Sequence, residues 1–186
     1  GYGGFIADDE SFGEGDGVRW LMRYPEEDDV NELEYTRSLL RINSDGSKWW
    51  RIEFDVDEEL AEYEYLVNQA GDIEMLRYED PDTGDVVAFS PSDPDAWWGG
   101  SRATMRDRED LEAMSEGTER VRVPAGVFRA ERVTAVEDEF EYNWWYTDEV
   151  PGLLVKLEGY EDDTMIVEGE LQEVYSGVTT PWEVPW

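Results

Sequence analysis

Alternation of apolar and polar residues dominates the chain and predicts antiparallel strands. The clearest case runs from Lys48 to Asp57, where Trp50, Ile52 and Phe54 fall on one face and charged residues fall on the other. Just before it, Asp45-Gly46 supplies the positive φ that a tight hairpin favours. The same signals predict about ten strands, at 33–43, 48–57, 61–69, 73–79, 85–89, 118–123, 127–136, 140–147, 153–158 and 165–175.

Two segments depart from simple alternation. Residues 57–70 also place Leu60, Tyr63 and Val67 at helical spacing, so a helix is the alternative to the strand favoured there. Prolines in 90–95 predict a loop, because proline cannot continue a strand ladder. Residues 102–116 then form the best helix candidate, and their thin apolar face predicts a helix on the surface of the sheet.

These elements predict a mainly β fold. About ten strands and one short helical excursion fit a single curved antiparallel sheet, a half-barrel, better than a two-sheet sandwich. We expect one domain over 1–176, followed by an extended tail over 177–186 in which Trp and Pro alternate.

The charge of the chain favours a saline environment. The 186 residues include 48 acidic and 15 basic side chains, which gives a formal net charge of -33, whereas small soluble domains usually carry roughly 2 to 8 charges. Such self-repulsion opposes folding unless salt screens it. Only Lys48 and Lys156 accompany 13 Arg, and this bias resembles proteins of extreme halophiles. The alternative is an acidic protein of an ordinary organism that binds cations or a basic partner.

Composition also excludes several kinds of chemistry. The chain has no His and no Cys, which excludes Ser-His-Asp and Cys-His nucleophiles, imidazole and thiolate metal sites, and disulfides. A strongly negative field repels phosphates, so we expect no nucleic-acid partner. Apolar runs are far shorter than the roughly 20 residues that span a bilayer, so we expect no integral membrane protein. We also expect no cofactor.

Two short stretches resemble a family. Residues 121–130, Val-Arg-Val-Pro-Ala-Gly-Val-Phe-Arg-Ala, and residues 145–156, Trp-Tyr-Thr-Asp-Glu-Val-Pro-Gly-Leu-Leu-Val-Lys, are similar to a pattern in exported half-barrel proteins with a LolA/LolB-like fold. In that pattern Thr usually stands where this chain has Val127. The resemblance implies an extracellular or cell-surface location and a curved sheet that holds a hydrophobic ligand. No catalytic residue accompanies it.

Carboxylate pairs are the only candidates for catalysis. Glu139 with Glu141, and Glu168 with Glu170, each place two acids on one strand face. In a chain with 48 acids such pairs arise by chance, so we do not expect an enzyme. A glycoside hydrolase or lyase that uses only carboxylic acids is the third hypothesis. Residues 80–85 offer alternate oxygen ligands but lack the bidentate Glu of an EF-hand loop, so weak surface cations are the most that we expect.

Paired tryptophans are the most unusual feature. In the pairs Trp49-Trp50, Trp97-Trp98 and Trp144-Trp145, consecutive side chains of a strand point to opposite faces of a sheet, so one of each pair lies outside the core. We expect Trp49 and Trp145 to share a second face with Tyr63 or Tyr65 and to bind a ligand there. The alternative is a second core, covered by the helix or by the tail.

The sequence therefore predicts a non-enzymatic, exported or cell-surface protein of a halophile. Its half-barrel would bind a hydrophobic ligand or a segment of a partner protein. The alternative is a structural or carbohydrate-binding surface module whose aromatic side chains stack on sugars.

Overall fold

A computed structural model describes residues 9–26, 29–56, 59–91 and 108–183. The strands are β1 Gly17–Pro25, β2 Val30–Ile42, β3 Lys48–Val56, β4 Glu59–Val67, β5 Ile73–Glu79, β6 Val86–Phe89, β7 Ser115–Val123, β8 Gly126–Glu137, β9 Phe140–Tyr146, β10 Leu154–Glu161 and β11 Thr164–Tyr175. A 3-10 turn at Asp9–Ser11 precedes them, and a short helix, α1 Arg108–Met114, precedes β7.

All eleven strands form one open antiparallel sheet in the order β6-β5-β4-β3-β2-β1-β11-β10-β9-β8-β7. The first six strands run as a meander from the centre to one edge, and the last five run from the other edge back to the centre. Strands β1 and β11, the first and the last, pair with each other in the middle of the sheet, with Trp20 opposite Leu171. The predicted mainly β, single-sheet fold is confirmed.

The two faces of the sheet differ in chemistry. One face, called the inner face, carries the apolar core, with Trp20, Leu39, Trp50, Ile52, Leu157 and Leu171 each at most 2% exposed. The opposite outer face carries most of the ion pairs, including those of Arg19, Arg23, Arg51 and Lys156. This division follows from the period-two alternation of the strands.

The second half of the sheet rolls up. The N–H of Ala125, in the turn between β7 and β8, donates a hydrogen bond of 3.1 Å to the carbonyl of Leu171 in β11, although β9 and β10 lie between those strands. Val121, Val123 and Ala130 of the same hairpin are buried in the core. The stretch 121–130 therefore builds the rolled end of the sheet.

One close approach in this half requires glycine. A Cβ at Gly159 of β10 would lie 2.6 Å from Cγ1 of Val167 and 2.8 Å from Cε1 of Tyr142. The Tyr142 ring instead packs over the bare backbone and stacks on Trp144, with ring centroids 5.9 Å apart.

Several local predictions are confirmed and others are corrected. Residues 59–67 form strand β4, as favoured over a helix. Strand β1 was missed, although Val18, Trp20 and Met22 alternate with Arg19 and Arg23. The helix ends at Met114 rather than Glu116, because Ser115 already pairs with Val133.

The helix also contributes to the core. Leu111 is fully buried in the core cluster, so α1 does more than rest on the surface of the sheet. The first part of the predicted helix, 102–107, and the pair Trp97-Trp98 lie outside the described residues. Among the residues described, no helix is long and apolar enough to cross a membrane.

Candidate functional site

The four aromatic residues predicted as a ligand site do not share one surface. Tyr65 pairs with Trp50 and Tyr63 pairs with Ile52, which places both tyrosines on the inner face. Trp49 pairs with Leu66 and lies on the outer face. The predicted grouping of Trp49 with Tyr63 or Tyr65 is therefore wrong, because the register of β3 on β4 sets them on opposite faces.

Trp49 and Trp145 both lie opposite the inner face, as predicted, but far apart. Trp145 pairs with Arg132 of β8 and with Lys156 of β10, and its side chain points to the face opposite that of Trp144. Five strand steps separate β3 from β9, which is roughly 24 Å at the usual strand spacing. The two indoles cannot form one aromatic platform.

Both indoles are also covered from within the chain. Trp49 is 4% exposed and Trp145 is 7% exposed. The Arg77 guanidinium lies 5.3 Å from the Trp49 ring centroid, and Lys156 Nζ lies 5.3 Å from that of Trp145. The Trp145 indole N–H donates a hydrogen bond to Glu119. These contacts support the alternative of a second, covered layer for these two residues.

A buried network of ion pairs lies on the outer face next to Trp49. Glu64 of β4 has no exposed side-chain surface and accepts hydrogen bonds from Arg51 Nη1 at 3.3 Å and from Arg77 Nε at 2.7 Å. Arg51 also binds Glu62 at 2.6 Å. With Glu53, whose Oε1 lies 3.6 Å from Arg51 Nη2, the two guanidiniums face three carboxylates.

The tail crosses the outer face above this network. Arg77 donates hydrogen bonds to the Glu183 carbonyl at 2.7 Å and to Thr180 Oγ1 at 3.2 Å. The Trp182 ring centroid lies 5.2 Å from the Arg51 guanidinium and 5.6 Å from that of Arg77. The segment 177–183 thus forms a strap from the centre of the sheet to β5, held by cation–π contacts and hydrogen bonds.

Five partly accessible aromatic residues lie on the inner face. Tyr35 of β2 packs on Phe54 of β3 with ring centroids 5.2 Å apart. Tyr63 of β4 packs on Tyr78 of β5 at 6.3 Å, and Tyr78 packs on Phe89 of β6 at 6.3 Å. We call these five residues the aromatic row. The first four are half-buried and Phe89 is 36% exposed.

The row extends the core toward the β6 edge of the sheet. At its inner end Trp20 stacks on Tyr35 at 5.7 Å, and Trp20 itself is buried and donates its indole N–H to the Leu154 carbonyl. Alternation along each strand places every member of the row on the apolar side. The strand order, which the pattern does not encode, leaves this part of the core only half covered.

Three of the four acids in the carboxylate pairs have side-chain partners. Glu170 and Glu168 lie 3.1 and 3.5 Å from Arg23 Nη1, so this pair neutralises a cation on the outer face. Glu141 accepts a hydrogen bond of 2.9 Å from Asn143 Nδ2. Glu139 and Glu141 line a polar groove of about 440 Å³ with four further acids and Arg132.

The candidate cation turn at 80–85 is explained by backbone geometry. Asp80 Oδ1 accepts hydrogen bonds from the N–H groups of Asp82 at 2.8 Å and Thr83 at 3.2 Å, as in an Asx turn. In the ranges described above, no group of three or more acidic side chains is arranged to hold a metal ion.

A second groove, of about 350 Å³, lies on the outer face beside the strap. Arg19, Glu34, Glu53 and Tyr175 line it. Burial raises the pKa of Glu53 above its ordinary value, partly offset by Arg51. The mixed charges of this groove suit polar contacts more than an apolar ligand.

Comparison with known proteins gives similarities of chain path only. No family model and no curated protein sequence matches the chain. The MucA/MucB complex structure from Pseudomonas aeruginosa is 14% identical with a TM-score of 0.49, and the match covers 89% of this chain and 53% of that one, so this chain spans about half of it.

Two further structures are similar over most of their length. A putative exported protein with a YmcC-like fold from Bacteroides fragilis is 12% identical with a TM-score of 0.46, covering 91% of this chain and 98% of that one. A DUF1329 family protein from Desulfovibrio piger is 13% identical with a TM-score of 0.39, covering 91% and 89%. Similarities of this size assign no activity, ligand or partner to this chain.

Proposed function

We propose that this chain is a non-enzymatic binding protein of the exported or cell-surface class whose inner sheet face holds a hydrophobic ligand. One observation carries the proposal: the aromatic row places five half-buried or exposed rings on the apolar face, in two contacting groups, Tyr35 with Phe54, and Tyr63 with Tyr78 and Phe89. An apolar ligand that covered these rings would remove their remaining surface from water.

The geometry of the row favours an apolar chain over a sugar. The ring planes are tilted, by 46° for Tyr35 with Phe54, by 53° for Tyr63 with Tyr78 and by 81° for Tyr78 with Phe89. A sugar stacks on ring faces that lie in one plane, whereas a flexible apolar chain follows a corrugated surface. The carbohydrate-binding module therefore remains the second candidate.

The export and halophile parts of the proposal rest on the sequence. The resemblance at 121–130 and 145–156 supports export, and the net charge of -33 supports a source rich in salt. The proposal also includes a protein partner, because apolar side chains of an extended partner segment would contact the same aromatic row.

The test is binding of N-phenyl-1-naphthylamine, an uncharged apolar fluorophore, in molar salt. The double variant Tyr78→Ala with Phe89→Ala should lose most of the fluorescence gain, because both rings lie at the accessible end of the row. The matched control is Val136→Ala, since Val136 is 69% exposed on the other half of the sheet. Equal probe binding by the double variant and the wild type would contradict the proposal, and retention on an oligosaccharide column would favour the second candidate.

A further inference from the structure

The two edges of the sheet are protected very differently. Strand β7 carries Glu116, Glu119, Arg120 and Arg122 along its length. Strand β6 reads Val-Val-Ala-Phe, has no charged residue, and all four of its residues are exposed. Charged side chains on an edge strand prevent pairing with another chain, whereas an uncharged, exposed edge invites it.

The register of the hairpin identifies which backbone groups face outward. The Asp80 N–H donates to the Asp85 carbonyl at 2.9 Å, so these residues form a hydrogen-bonded pair at the turn. Hydrogen-bonded and non-hydrogen-bonded pairs alternate along an antiparallel ladder. Glu79 pairs with Val86 and Arg77 with Ala88 in the non-hydrogen-bonded positions, which turns the N–H and C=O groups of Val86 and Ala88 away from β5.

We propose that the β6 edge binds an extended segment of another protein as an added strand, and that this segment carries alternating apolar residues flanked by Lys or Arg. The backbone groups of Val86 and Ala88 would form the ladder. Apolar side chains of the partner would contact Val87 and Phe89 on the inner face and Val86 on the outer face, which are 36 to 42% exposed.

Charge selects a basic partner. The β5–β6 turn adds Asp80, Asp82 and Asp85 next to the edge, and the chain as a whole carries -33. Even where molar salt shortens the Debye length to about 3 Å, these aspartates act on groups in direct contact, so they attract basic flanks and repel acidic ones.

A second copy of this chain fits the edge poorly. It would bring two surfaces of the same strong negative charge together. A four-residue edge also buries far less than the roughly 1,000 Å² that a stable interface between folded copies needs. An extended segment avoids this requirement because main-chain hydrogen bonds supply its affinity.

The experiment uses a short synthetic peptide in which Val and Thr alternate between terminal lysines, with fluorescence anisotropy as the readout. The wild-type chain should bind it, and Ala88→Pro should weaken binding by about tenfold or more, because proline removes the outward N–H without touching the bonds to β5. The matched control is Thr118→Pro, an uncharged, exposed position on β7, which should bind as the wild type does.

A second measurement remains decisive if Ala88→Pro does not fold. The same peptide with alternate amides N-methylated keeps its charge and side chains but loses its ladder, and should not bind. Equal binding of both peptides, equal binding by Ala88→Pro, or dimerisation of the chain that Ala88→Pro abolishes would each overturn the proposal.

Discussion

Glu64 Oε2 accepts a hydrogen bond of 2.7 Å from Arg77 Nε, and both side chains are almost completely buried on the outer face. Arg51 occupies the other carboxylate oxygen. A charge so enclosed is tolerated only while its partners are present, because removing one leaves the others without compensation.

Glu64→Gln should therefore destabilise the fold strongly, by about 3 to 5 kcal/mol, the usual cost of breaking a buried pair. The measurement is denaturant unfolding in molar salt. The matched control is Glu62→Gln, since Glu62 also binds Arg51 but is 30% exposed, and it should cost under about 1 kcal/mol. Similar losses for the two variants would mean that the network is solvated in solution.

Trp182→Ala should release the strap. Two guanidiniums flank the Trp182 ring, and such contacts contribute about 0.5 to 2 kcal/mol each. Limited proteolysis should then cut within 177–183 much faster than in the wild type. Glu183→Ala is the control, because Arg77 binds the main-chain carbonyl of Glu183. Protection of both variants alike would show that Trp182 does not hold the strap.

Trp50→Ala should cost about 3 to 5 kcal/mol, the range for large buried aromatic residues. Trp50 is 1% exposed and contacts Phe12 edge-on at 5.0 Å. Phe54→Ala should cost clearly less, since Phe54 is half-buried in the aromatic row. Thermal melts in molar salt compare the stability of the two variants. A larger loss of stability for Phe54→Ala would mean that Phe54 is packed more tightly in the core than the structure shows.

Salt should be required for stability. The Debye length falls from about 10 Å at 0.1 M to about 3 Å at 1 M salt. The repulsion caused by the excess of 48 acidic over 15 basic groups is therefore far weaker in molar salt. Circular dichroism melts should show a midpoint that rises steeply with salt. An unchanged midpoint from low to molar salt would contradict the halophile proposal.

Stability should also fall in strong alkali. Burial, aided by a hydrogen bond to Glu131, raises the pKa of Tyr146 to about 12 from its ordinary 10.0. Below pH 10 the Tyr146 phenol is neutral in both the folded and the unfolded chain. Between pH 10 and about 12 the phenol ionises in the unfolded chain but stays neutral in the folded one, so unfolding becomes more favourable as pH rises. Tyr146→Phe should reduce this slope in unfolding experiments across the same pH range. An unchanged slope would mean that Tyr146 ionises normally in the fold.

The sequence by itself determined the class of fold and the side of each strand that is apolar. Alternation assigns Trp50, Ile52 and Phe54 to one face because side chains of a strand point to opposite sides in turn. It likewise predicted correctly that Trp49 and Trp145 lie opposite their core neighbours. Composition alone excluded imidazole and thiolate sites, because the chain lacks His and Cys.

Only the tertiary structure decided which residues meet. Pairing of β1 with β11 depends on contacts between segments distant in sequence. The register that pairs Trp50 with Tyr65 is local, but periodicity within one strand carries no information on its neighbour. The same long-range contacts placed Trp182 on Arg51 and Arg77, which covered the outer face. Among the described residues, Tyr63 and Tyr78 of the inner face are half-buried and Phe89 is 36% exposed, because the strand order places these rings at the edge of the sheet.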